Sequence, residues 1–122
     1  MAVIPYEVKS LKRGTLHVEG SFAVDGSGDP TTIKGIGFSV AHTTTGVYTI
    51  TFSDKYQDLI SADVSLMYNA LEDKVVQLGA WSKTNSTLVI RVYDISGTGA
   101  ADIASATNDR IQFDVCLQWS KY

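Results

Sequence analysis

Apolar and polar residues alternate in five strong runs along this 122-residue chain. Ile36, Phe38 and Val40 are separated by Gly37 and Ser39, and Tyr48, Ile50 and Phe52 by Thr49 and Thr51. Val64, Leu66 and Tyr68 follow, then Leu88, Ile90 and Val92. The longest run is Ile111, Phe113, Val115, Leu117 and Trp119, with Gln112, Asp114, Cys116, Gln118 and Ser120 on the other parity. Successive strand side chains point to opposite faces, so each run predicts a strand with one buried and one wetter face. Residues 16–22 and 75–81 read as weaker strands, and residues 6–11 as an edge strand or an arm.

Turn-forming residues separate these runs. Asp25-Gly26-Ser27-Gly28-Asp29-Pro30 reads as a loop, Thr43-Thr44-Thr45-Gly46 as a strand connection, and Lys83-Thr84-Asn85-Ser86 as a hairpin turn. The longest connection, residues 96–109, is expected to be mostly loop, with room for one helical turn at residues 102–106. No window carries a long apolar period of 3.6 residues, a heptad or a repeat. About eight short strands at regular spacing predict an all-β fold, an antiparallel β-sandwich or jelly-roll-like domain, with a closed barrel as the alternative. The domain is expected over residues 14–122, preceded by an arm or edge strand at 1–13. Phe52, Leu66, Ile90, Phe113 and Val115 are expected between two sheets.

Composition narrows the function classes. With 44% hydrophobic residues the chain can bury a core without a disulfide or a metal. Its 10 basic and 13 acidic residues form no basic stripe, so no nucleic-acid partner is expected. No apolar run approaches the length of a membrane span, and residues 1–7 do not form a signal peptide, so no membrane partner is expected either. Asp25-Gly26-Ser27-Gly28-Asp29 resembles the start of a calcium loop, but Pro30 and Ile36 stand where a Gly and an acid would be needed. Cys116 is the single cysteine, and only His17 and His42 could assist it, without any surrounding nucleophile motif. The expectation is therefore no enzyme, no cofactor and no metal. Trp81, Tyr93 and Tyr122 do not fit the core alternation and are candidate interface aromatics.

Two segments resemble a known family. Gly46-Val47-Tyr48-Thr49-Ile50-Thr51-Phe52-Ser53-Asp54-Lys55-Tyr56 resembles a phrase of small structural proteins of tailed bacteriophages. Val89-Ile90-Arg91-Val92-Tyr93-Asp94, and Asn108-Asp109-Arg110-Ile111-Gln112-Phe113-Asp114-Val115 after a Gly/Ala/Asp-rich loop, are similar to that family's closing strands. The resemblance implies a capsid decoration (cement) protein on the virion surface, made in the host cytoplasm. It would bind neighbouring subunits of the major capsid protein and form a homotrimer. The alternative is a tail- or head-fibre tip, or a carbohydrate-binding receptor-recognition module. Val3, Ile4, Tyr6, Lys9, Lys12 and Arg13 of the arm are the candidate partner-binding residues. If the arm is not the anchor, the loops at 43–46 and 96–109 are the next candidates.

Overall fold

The structure is a computed structural model that describes residues 15–68, 74–95, 99–103 and 109–118. Among the described residues eight strands run in chain order: β1 (Thr15–Val24), β2 (Pro30–Lys34), β3 (Phe38–Thr44), β4 (Val47–Phe52), β5 (Asp58–Met67), β6 (Lys74–Ser82), β7 (Thr87–Asp94) and β8 (Arg110–Gln118). They form two antiparallel four-stranded sheets, ordered β2-β1-β8-β5 and β3-β4-β7-β6. The all-β sandwich read from the alternation is the observed architecture. Three pairings join strands that are not consecutive in the chain, β1–β8, β5–β8 and β4–β7, and β4–β7 lies inside β1–β8 in the sequence.

The core follows the parity of the runs. Tyr48, Ile50 and Phe52 on β4, Leu88, Ile90 and Val92 on β7, and Ile111, Phe113, Val115 and Leu117 on β8 are all buried. Val18, Phe22 and Val24 of β1 complete the facing layer. Phe22 meets Tyr48 at 5.3 Å between ring centroids, and Phe38 meets Phe113 edge-on at 4.9 Å, so aromatic pairs tie one sheet to the other. Each such buried side chain stabilises the fold by roughly 1.5–3 kcal/mol.

Four expectations need correction. Ile36, expected inward with Phe38 and Val40, is 88% exposed, because the strand begins only at Phe38 and the preceding backbone turns outward. Leu66 is half-buried on the edge strand β5. The chain at Asp102 and Ile103 is irregular, not helical, and the rest of that expected turn lies outside the described residues. Strand β2 was not anticipated: its residues are largely exposed and carry no alternation. The possible strand at 6–11 also lies outside the described residues.

The connections obey their turn chemistry. Asp25 Oδ1 accepts the backbone N–H groups of Ser27 and Asp29 at 2.8 and 3.0 Å, closing the β1–β2 loop. Gly46, at φ 72°, turns β3 into β4. A Cβ there would stand 2.5 Å from the Val92 carbonyl oxygen, so the position requires glycine twice over. Ser86, at φ 58°, ends the β6–β7 turn, donates from Oγ to the Asp54 carbonyl at 2.6 Å and accepts the Phe52 N–H at 2.9 Å.

Candidate functional site

The six arm residues singled out from sequence, Val3, Ile4, Tyr6, Lys9, Lys12 and Arg13, lie outside the described residues. The two alternative loops, however, meet at one end of the sandwich. Val92 N–H donates to the Gly46 carbonyl at 2.8 Å, and Ala101 N–H to the Val92 carbonyl at 3.1 Å. Ala100 forms an isolated bridge with Tyr93.

A single carboxylate oxygen organises this end. Oδ1 of Asp102 accepts the Gly46 backbone N–H at 2.6 Å and the Tyr48 hydroxyl at 3.2 Å, and lies 2.9 Å from His42 Nε2. On the other side of the imidazole, His42 Nδ1 is 3.7 Å from Asp29 Oδ1. Burial, reinforced by the Asp102 carboxylate, pushes the Tyr48 phenol far above its ordinary ionisation range. Tyr48 therefore stays a neutral donor. The cluster joins the β1–β2 loop, the β3–β4 turn and the β7–β8 connection, and buried Ile103 next to Asp102 adds an apolar anchor. Among the described residues no serine or cysteine takes part, and the cluster reads chemically as a latch for three loops. Sequence alone could not reveal it, because Asp102 is 54–60 residues away from its partners.

His17 and Cys116, the pairing left open by the sequence, are register partners on β1 and β8, with Asp114 Oδ1 3.6 Å from His17 Nδ1. They lie on the open outer face of a sheet. The ladders to β1 and β5 occupy the backbone of β8, leaving no array of N–H groups there to receive an oxyanion. Among the described residues no group of three or more His, Cys, Asp or Glu side chains is arranged to hold a metal ion.

The outer faces of the two sheets differ in chemistry. On β2-β1-β8-β5, Glu19, Asp114 and Asp63 stand directly opposite one another across three strands. On β3-β4-β7-β6, the rows are Ser39-Thr51-Thr87 and Ala41-Thr49-Val89, with Val47 opposite Arg91. Arg91 is the one charged side chain on that face among the described residues. Of the candidate aromatics, Trp81 packs against the core near Phe52, at 6.0 Å between centroids. Tyr93 is exposed beside Ile95, and Tyr122 lies outside the described residues. Comparison of the chain with family models, with curated proteins and with solved structures found no match.

Proposed function

We propose that this chain is a structural interaction protein, a capsid decoration (cement) protein that binds neighbouring major capsid protein subunits through the outer face of β3-β4-β7-β6. The observation that carries the reading is the near-absence of charge on that face. Charged residues are depleted at the centre of protein interfaces, because covering a charge strips its hydration. Short Thr, Ser, Ala and Val side chains lose little rotamer freedom when another surface covers them. The low overall charge of the chain, 19%, and its resemblance to phage structural proteins support the same reading.

The carbohydrate-binding alternative draws less support. Such a site would use exposed aromatic platforms, but Tyr48 and Tyr56 are buried and Trp81 faces the core. Tyr93 is the only aromatic residue more than a third exposed among the described residues. The proposed assembly is a homotrimer, checked by light scattering.

Binding to virions that lack the protein tests the reading. Wild-type protein should co-sediment with the heads and appear on their faces by electron microscopy. The double variant Thr49→Glu, Val89→Glu should fold and fail to bind. Wild-type protein that ignores the heads overturns the decoration reading. A double variant that binds like wild type overturns the choice of face.

A further inference from the structure

The two ends of the sandwich differ in shape and in charge. At one end, Gly35-Ile36-Gly37 precedes β3, where Phe38 lies opposite Phe52. Gly35 and Gly37 hold φ values of 116° and 91°, a region that side chains other than glycine rarely adopt. Between them Ile36 is 88% exposed. The Ser53 N–H donates to the Gly37 carbonyl at 2.9 Å and fixes the base of this finger. Leaving an isoleucine in water forgoes roughly 2 kcal/mol of burial. The backbone here is shaped so that the side chain cannot turn inward.

At the opposite end, where β4 starts and β7 finishes, a groove of about 380 Å³ opens between Gly46 and Ala100. Its apolar walls are Val47, Tyr93, Ile95 and Ala100, and Arg91 and Asp94 add charged groups to its lining. Ile95 is 64% exposed and Tyr93 37%. The groove can admit a branched aliphatic side chain.

Charge separates the same two ends. Lys34, Lys55 and Lys83 lie on the loops and strand ends of the finger end, against Asp54 and Asp58. Among the described residues the groove end carries Asp25, Asp29, Asp94, Asp102 and Asp109, against Lys74, Arg110 and Arg91, which lines the groove itself. A copy of the chain therefore presents an apolar knob in a more basic setting at one end, and an apolar hole in an acidic setting at the other.

We infer that Ile36 of one copy inserts into the Val47–Tyr93–Ile95–Ala100 groove of the next, joining copies head to tail. Knob and hole are different surfaces, so the contact is heterologous and extends into rows or closes into a ring. The groove shares Val47 and Arg91 with the rim of the outer sheet face, but Ile36 and Ile95 lie off the Thr49–Val89 row, so variants at those positions test this inference and the decoration reading separately. Contacts below about 1,200 Å² are characteristically transient, and the ends of the sandwich are small. The association should therefore depend on concentration and weaken as salt screens the opposite charges.

Sedimentation velocity over a concentration series in low salt tests this. Wild-type protein should form dimers and larger species. Ile36→Asp and Ile95→Asp alter exposed side chains, so each variant should keep the wild-type circular-dichroism spectrum and associate at least tenfold more weakly. Mixed in equal amounts, the two variants should form pairs and nothing larger, because one retains an intact hole and the other an intact knob. A wild-type monomer throughout the series, an Ile36→Asp protein that associates as wild type does, or a mixture that stays monomeric would each overturn the inference.

Discussion

On the outer face of β2-β1-β8-β5 three carboxylates, Glu19, Asp114 and Asp63, occupy directly opposed positions. On the outer face of β3-β4-β7-β6 a comparable row is Ala41, Thr49 and Val89. Like charges opposed across strands destabilise a sheet, and neutral pairs do not. The first face therefore carries a cost that hydration makes tolerable only while water covers it. The second face could be covered by another chain at little cost. Both faces sit on one core and follow one alternation rule, so the difference between them concerns what each surface meets, not how the chain folds.

The largest expected effect removes both faces together. Phe113 lies at the centre of β8 and touches Phe38 of the other sheet. Phe113→Ala should cost about 3–5 kcal/mol, read from denaturant midpoints. A parent-like midpoint would break the picture of a shared core.

Asp102→Ala should cost about 2–4 kcal/mol, since it strands the Gly46 N–H and the buried Tyr48 hydroxyl. The damage should be one-sided. Hydrogen exchange should speed up at Gly46 and Val92 and stay slow in the β1–β8 ladder.

Alkaline pH should act through the same sheet. The folded state holds Tyr48 neutral beyond its ordinary range, whereas the unfolded chain ionises it near pH 10. The stability from this raised ionisation is fully present below about pH 10 and is lost as pH rises toward the folded-state value, by up to ~1.4 kcal/mol per pH unit. Tyr48→Phe should flatten that slope, as shown by unfolding at a series of pH values.

The smallest effect probes the acidic row directly. Asp114→Asn removes its central charge and also an exposed ion pair with His17, which contributes little. The expected result is a gain of about 0.5 kcal/mol in low salt, shrinking as salt is added. A loss of stability in low salt would show that the row is not a repulsive one.

The inner faces were legible in the sequence, and the outer ones only partly. Ile111, Phe113, Val115 and Leu117 announce β8 because burial on one face leaves a period of two in any sequence. β2 left no such mark, since a short exposed edge strand buries nothing that must alternate. Ile36 misled because its phase matched Phe38 and Val40, and only the backbone angles of its flanking glycines turn it out. The Asp102 latch was illegible for another reason: its partners converge through topology. The opposed carboxylates are invisible in a linear reading, because Glu19, Asp63 and Asp114 become neighbours only once the strand register is known.

The position of β8 has a consequence for how the chain is made. It is the last of the eight strands in sequence, yet it sits inside its sheet between β1 and β5. During translation β3, β4, β6 and β7 are all available before β8 leaves the ribosome, so the second sheet can close early. The first cannot: β1 and β5 each wait with a bare hydrogen-bonding edge, and such edges recruit other chains. A nascent chain stalled before Arg110 would hold one finished sheet over an open apolar layer. Such a fragment would be a target for chaperones and a seed for aggregation, and the closing step would be slow because its partner strand was synthesised first.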